Sequence, residues 1–374
     1  MTKCPECGCE MNESLGFCTA CGRLCSNTAT VPAYMQTNRT VDRSKNKTFS
    51  IVAVAILITS LFAGLVIVGG AVDFEGRDNG DGYLLTNTSI GVFERIEWEV
   101  TDVEGTTTHI GTGGQILWPI PEAGVYKITM HAFSLYGLEQ SITKEMVQGT
   151  EKAVYRKWTF GTTSYTVDVK VQIDDYMKYR NDPIERWPGE SADAALVRAY
   201  MNVASSNAVF EAIADQLINQ FPAGATKEYR TNAIMSYVQQ FEYKSDETKG
   251  AEEYWKFPME TIFEGGGDCE DLAIMCMTLF ELVFTEQGEE VNVALALYWG
   301  HGDVGGHAMA SIALDNAPLN INQKVENGYI KSGKTYYVAE TTSKGWTVGR
   351  MSNNYIDYNL NTKAGMLIRP AAPA

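Results

Sequence analysis

Residues Ile51 to Val72 form a run of 22 with no charged side chain and only Thr59 and Ser60 clearly polar. A helix needs about 20 apolar residues to cross a bilayer, so the run predicts one transmembrane helix over 51–72. It is too long and too far from residue 1 for a cleaved leader, whose apolar core runs about 7 to 15 residues. Arg39, Arg43, Lys45 and Lys47 precede it, whereas Asp73, Glu75, Asp78 and Asp81 follow it with only Arg77 to offset them. Positive charge favours the cytoplasmic side, which predicts a single-pass protein of the cell membrane, N-terminus cytoplasmic and C-terminal part extracellular.

Charge divides along the same line. The 374 residues carry 30 basic and 46 acidic side chains, a formal net charge of -16. Residues 1–72 hold six basic against four acidic, which leaves 24 against 42 beyond. Nucleic acid is an unlikely main partner for such a chain, because phosphate binding needs a basic footprint. Hydrophobic residues at 45% and charged residues at 20% fit an ordinary globular chain and exclude wholesale disorder or a polytopic membrane protein.

Six of eight cysteines lie within the first 25 residues. Cys4-Pro-Glu-Cys7-Gly and Cys18-Thr-Ala-Cys21-Gly are two Cys-x-x-Cys knuckles. Each points two thiolates at one ion, so Cys4, Cys7, Cys18 and Cys21 are expected to form a structural zinc site resembling a short zinc ribbon over 1–25. Cys9 and Cys25 are extra, and either can replace a ligand. Four thiolates leave no open coordination position, which points to docking of a cytoplasmic protein partner rather than chemistry. Residues 26–50, rich in Thr, Asn and Ser, read as a linker.

Residues 83–148 alternate with period two: Ile96, Trp98 and Val100 on one face against Glu97 and Glu99, then Tyr126, Ile128, Met130 and Ala132 against Lys127, Thr129 and His131. This predicts a small antiparallel β-sandwich, similar to immunoglobulin-like and PKD-type domains, as a spacer or adhesive module. His131 on the polar face and His109 in a Thr-rich loop read as surface residues. Strands over 153–160 and 165–173 follow, then helices over 193–204, 208–220 and 227–241, with Asn207 and Thr226 as caps for the last two.

Chemistry concentrates at Gly265-Gly-Gly-Asp268-Cys269-Glu270-Asp271, where Asp268 caps a helix that Gly288 can close. Cys269 then lies in the first turn, where free N–H groups and the helix dipole favour a thiolate. Glu264, Asp268, Glu270 and Asp271 push the other way, so a cationic partner is required. His307 opens an alternating strand, and Glu340 ends Tyr336-Tyr-Val-Ala-Glu340. A thiolate on a helix, a histidine base and a carboxylate to fix its tautomer are compatible with that order. His301, in a Gly-rich loop, is the competing base. Cys276 lies seven residues on, about 10.5 Å along a helix, beyond the roughly 7 Å a disulfide allows. Burial accounts for Cys276 but not for Cys269.

Gly-Gly-Asp268-Cys269-Glu-Asp271, Gly-His307 opening a strand, Tyr-Tyr-Val-Ala-Glu340-Thr-Thr and Gly345-Trp346 together resemble the transglutaminase-like superfamily, in particular its membrane-anchored archaeal and bacterial members. The resemblance spans about residues 150–365 and implies an α+β, papain-like domain over 150–370 in which the cysteine helix packs on an antiparallel sheet. It implies Cys269 as nucleophile, His307 as general base then acid, and Glu340 as its orienting carboxylate, a position where Asp is commoner. The whole fold is therefore expected to be α+β, a papain-like domain preceded by a β-sandwich, one transmembrane helix and a zinc ribbon. The activity expected is hydrolysis or acyl transfer at peptide or isopeptide amide bonds on the outer face. The alternative is a catalytically silent scaffold that links an outer ligand to the cytoplasmic module.

Overall fold

The structure is a computed structural model that describes residues 2–3, 10–11, 70–79, 82–119, 122–186, 192–205, 208–246, 253–299, 305–321, 329–331, 333–355 and 365–371. The chain divides into two compact units, 1–61 and 62–374. In the first, strands β1 (Thr2–Lys3) and β2 (Glu10–Met11) pair antiparallel.

The second unit begins with two packed sheets. One is three-stranded: β3 (Phe74–Asp78), β4 (Gly82–Asn87) and β7 (Gln115–Pro119), in order β3-β4-β7. The other is four-stranded: β5 (Phe93–Asp102), β6 (Thr107–Thr112), β8 (Gly124–Ser134) and β9 (Glu139–Gln148), in order β6-β5-β8-β9. The alternation along β5 and β8 turns Ile96, Trp98, Val100, Ile128, Met130 and Ala132 inward onto Phe74 and Leu85 of the facing sheet. Trp98 is fully buried, meets Phe74 edge to face at 5.2 Å, and donates its indole N–H to the Gly113 carbonyl at 2.8 Å. His109 lies within β6 rather than in a loop.

A long hairpin follows, β10 (Glu151–Phe160) with β11 (Thr163–Gln172). Then come helices α1 (Ile173–Arg180), α2 (Ala194–Ser205), α3 (Ala208–Ile218) and α4 (Lys227–Val238). Thr226 caps α4 by accepting the Tyr229 N–H at 3.1 Å; Asn207 lies outside the described residues. Next are β12 (Glu242–Tyr243), α5 (Pro258–Phe263), β13 (Gly266–Gly267) and the longest helix described, α6 (Cys269–Glu286). Gly288, with φ at +72°, follows α6. Helix α6 packs on a five-stranded antiparallel sheet formed by β14 (Val293–Tyr298), β15 (His307–Ala313), β16 (Tyr329–Lys331), β17 (Lys334–Ala339) and β18 (Gly365–Ile368), in order β16-β17-β15-β14-β18. Every α6 side chain from Leu272 to Phe280 is buried, because the sheet covers one face and helices α2 to α5 cover the others.

The expected fold class requires correction. The described fold is mixed α/β, and among the described residues no helix is long and apolar enough to cross a membrane. The longest, α6, carries Glu270, Asp271, Glu281 and Glu286. The helix expected to run to Val72 does not: Gly70 has φ +98°, and Ala71 exchanges both backbone hydrogen bonds with Ile90 at 2.9 Å, an extended pairing incompatible with helix. Residues 51–69 and the expected zinc ligands Cys4, Cys7, Cys18 and Cys21 lie outside the described residues, so neither a membrane helix nor a zinc ribbon is part of the described fold.

Truncating Trp98 to Ala should cost about 3–5 kcal/mol by denaturant unfolding, the usual range for a fully buried large aromatic. The same loss would not follow from Tyr136→Ala, which is exposed.

Candidate active site

Cys269, His307 and Glu340 arrive from three elements. Cys269 is the first residue of α6, His307 the first of β15, and Glu340 directly follows β17. Strand β15 pairs with β17 in the register Ala310↔Ala339, which brings the start of one beside the end of the other. His307 Nε2 lies 2.8 Å from Glu340 Oε2. The other Glu340 oxygen, Oε1, accepts the backbone N–H and hydroxyl of Thr342 at 2.9 and 2.7 Å. These donors, with His307 first, hold the Glu340 carboxyl below the usual carboxylate range against the opposing effect of its burial. With Nε2 engaged by Glu340, Nδ1 is the His307 nitrogen left for proton transfer. The Tyr355 ring stacks on the imidazole, centroids 5.0 Å apart, and its hydroxyl donates to the Gly305 carbonyl at 3.3 Å.

Cys269 and His307 line one cleft of about 300 Å³. Its walls are aromatic, with Tyr243, Trp255 and Trp299 beside Leu297. Cys269 is partly exposed at the cleft, whereas Cys276 is fully buried in the α6 packing. The Ala308 N–H is directed at the Cys269 sulfur, and the thiol donates to Glu270 Oε2 at 3.2 Å. Burial, then the carboxylates of Glu270 and Asp268, push the Cys269 thiol well above its ordinary value. The helix N-terminus alone therefore does not produce a resting thiolate; the acidic neighbours outweigh it.

Three glycines precede the cysteine because the backbone there has no room. A Cβ on Gly266 would fall 2.2 Å from the Glu242 carbonyl oxygen, across the parallel pairing of β12 and β13. One on Gly267 would fall 2.6 Å from the Asp271 carboxylate. Asp271 is fully buried: its Oδ1 accepts the Lys256 N–H at 2.7 Å and its Oδ2 the Asp268 N–H at 3.4 Å, which ties the helix start to the preceding segment. Lys256, only 1% exposed, places its ammonium 3.4 Å from Asp271 Oδ2 and 3.6 Å from Glu264 Oε2.

Beside the thiol, one oxygen each from Asp246, Asp268 and Glu270 lie within 4.8 Å of one another. Asp268 Oδ1 and Glu270 Oε1 are buried with no hydrogen-bond partner. Burial and mutual repulsion push Asp268 up to about 11 and Glu270 to about 8. Asp271 rises to about 6, burial outweighing the opposing Lys256 charge. An all-oxygen donor set of this kind suits a hard divalent cation. Asp246, Lys256 and Tyr355 were not singled out from the sequence; Asp246, in a Ser-Asp-Glu-Thr stretch, carries no local signal of its role. Gln239 was missed too: its amide donates to the Glu340 and Trp346 carbonyls at 2.9 and 3.1 Å and fixes the loop after β17. The competing base His301 lies outside the described residues. His131, facing Glu139 at 2.7 Å and Glu99 at 3.5 Å, belongs to the sandwich and is remote from the cleft in sequence and sheet.

No family model matches the chain, and no curated protein matches it. Among solved structures it is similar to three of Legionella pneumophila LapG. The calcium-bound form is 18% identical with a TM-score of 0.28, covering 47% of this chain and 84% of that one. The EGTA-treated form is 19% identical with a TM-score of 0.27, covering 43% and 76%. A third is 20% identical with a TM-score of 0.26, covering 41% and 74%. Similarity of this degree is too low to transfer a fold or an activity.

Carboxyls raised above their unfolded values, near 4, contribute stability below that pH and lose it as pH rises through the folded values. With EDTA present, the thermal midpoint should therefore fall as pH is raised from about 5 to about 9, through the ionisation of Asp271 and Glu270. Millimolar calcium should flatten that fall, and Asp268→Asn with Glu270→Gln should remove both the fall and the calcium effect. Thermal melts across pH, with and without calcium, check this.

Proposed function

We propose that the cleft is the active site of a transglutaminase-like cysteine hydrolase or acyltransferase acting on peptide or isopeptide amide bonds. The observation that carries the reading is the 2.8 Å contact of His307 with Glu340, made at the mouth of the cleft that also holds Cys269. A buried carboxylate on Nε2 fixes the tautomer and stabilises the imidazolium that forms when Nδ1 takes a proton. Tyr355, stacked on the ring, keeps water from that pair.

In the reaction, His307 Nδ1 accepts the thiol proton as Cys269 Sγ attacks the amide carbonyl carbon. The carbonyl electron pair moves to oxygen, facing the Cys269 backbone N–H, a donor of the first helical turn with no intrahelical partner. The imidazolium then gives its proton to the amide nitrogen, the C–N bond breaks, and the amine leaves a thioester on Cys269. Water, or a second amine, attacks the thioester while His307 takes its proton, and Sγ departs and recovers the proton. Hydrolysis is the favoured outcome, since water is always present and crosslinking requires a dedicated amine site. The substrate is a protein or peptide amide, seated between the aromatic walls.

Asp246, Asp268 and Glu270 would hold a divalent cation, which would supply positive charge beside the thiol and offset the carboxylates that keep it protonated. In the full chain, Cys269→Ala should abolish cleavage of a peptide library while moving the thermal midpoint by only a few degrees. His307→Ala should reduce turnover about 10²- to 10⁴-fold, the range of a positioned general base. Alkylation by dilute iodoacetamide, located by mass spectrometry, gives a second readout. Cys269 should label faster than Cys276 and lose that advantage in His307→Ala; equal labelling of the two thiols in the native chain would sink the catalytic reading and favour the silent scaffold.

A further inference from the structure

The sandwich has two unlike poles. At one, the β5–β6 turn carries Asp102 and Glu104, and Glu104 meets Lys152 of β10 at 3.1 Å. At the other, β5 starts and β8 ends, paired as Phe93↔Ser134. Two segments form this second pole: residues 88–93, Thr-Ser-Ile-Gly-Val-Phe, and 134–138, Ser-Leu-Tyr-Gly-Leu. Neither has a charged side chain, in a chain whose net charge is -16.

Their apolar side chains point outward. Ile90 is 73% exposed, Tyr136 68%, Leu135 51%, Leu138 50% and Val92 40%. These are half of the ten large hydrophobics exposed among the described residues. The turn that presents three of them is rigidly framed. Ser134 Oγ accepts the N–H groups of Tyr136 and Leu138 at 3.4 and 3.1 Å, and Gly137, with φ +73°, donates to the Ser134 carbonyl at 2.9 Å.

The chain enters the sandwich at this same pole. Ala71 is paired to Ile90, and a Cβ on Gly70 would fall 2.0 Å from the Ile90 carbonyl oxygen, so the entry point is fixed against the exposed segment. Immediately before it, residues 51–69 add 19 positions with no charged side chain. Three uncharged stretches therefore converge where the surrounding surface is acidic.

We propose that this pole is a lipid-contacting surface: Ile90, Val92, Leu135, Tyr136 and Leu138 insert into the interfacial region of a bilayer, with residues 51–69 in the same lipid phase. Aliphatic side chains with a tyrosine suit that region, where the ring is buried and the hydroxyl stays wet. Five side chains are too few for a stable interface between copies, which takes about 20–30 residues a side. They also cannot cover the apolar surface of 19 residues, which argues against 51–69 folding back onto them. The near absence of basic residues at the pole selects a zwitterionic surface rather than an anionic one.

The test uses the full chain mixed with phosphatidylcholine vesicles whose acyl chains carry a diazirine. After photolysis, mass spectrometry maps the lipid adducts. Adducts are expected at 88–93 and 133–138 as well as at 51–69, and none at the Thr106–His109 turn of the opposite pole. In a Leu135→Ser, Tyr136→Ser, Leu138→Ser variant, adducts on the turn should drop to the level of that opposite pole while those on 51–69 persist. These positions are exposed, and an unchanged near-UV circular dichroism spectrum would report intact packing; if the variant fails to fold, the native map decides alone. Adducts confined to 51–69, with the pole still modified by a water-soluble carbene reagent, would overturn the proposal. So would a chain that does not bind vesicles, or pole-to-pole crosslinks between copies that shield the five side chains from lipid.

Discussion

A lysine buried beneath the start of helix α6 holds the rest of the site in place. Lys256 has two carboxylates within 3.6 Å and almost no water, an arrangement that survives only because each charge answers another. Removing the ammonium would leave Asp271 and Glu264 as uncompensated buried charges, a loss of several kcal/mol in comparable cases and on the order of 3–5. Asp271 in turn binds the N–H groups of Lys256 and Asp268, so the pair fixes where the helix begins and hence where Cys269 stands. Tyr176, Arg180 and Lys244 extend the network through Glu264: the Tyr176 hydroxyl meets Oε1 at 2.9 Å and Lys244 donates to its carbonyl at 2.8 Å. Helix α1 and the nucleophile's helix are thereby set by one polar seam inside an otherwise apolar core.

How much of this was legible in the sequence follows from the range of each signal. The α6 helix was readable because its signals are local: an Asp cap, an uninterrupted apolar run, and Gly288 beyond its end. Period-two alternation likewise marked the inward faces of β5 and β8, since a strand side chain's face depends only on parity. The order cysteine, histidine, carboxylate was visible, but their meeting depends on β15 and β17 being neighbours, which no local pattern encodes. Asp246 was invisible for the same reason: it reaches Asp268 and Glu270 only because β12 runs parallel to β13. The apolar run was read as ending at Val72; the pairing of Ala71 with Ile90, a contact 19 residues away in sequence, decides otherwise.

The electrostatics of the cleft set a problem that neither the helix dipole nor histidine solves alone. A helix terminus contributes about 0.3–1 kcal/mol toward a nearby anion, up to about 2 when partly buried. Burial and two adjacent carboxylates act in the opposite direction on Cys269 and prevail. The same carboxylates crowd their unpartnered oxygens together, so a single added cation would relieve both strains. Reactivity at this cysteine and the stability of its helix start are in this way coupled through one set of oxygens.

The sandwich has a consequence of a different kind. The chain enters it at the Ala71 end and leaves at Gln148, at the opposite end, after β9 has paired with β8 at ten consecutive positions from Phe133↔Glu139 to Gly124↔Gln148. A tensile load between those two points runs parallel to the strands, so the hydrogen bonds of the ladder are sheared together instead of unzipped one at a time. Drag on the substrate-bearing half of the molecule is thus resisted by a whole ladder acting at once, and the sandwich behaves as a stiff tether.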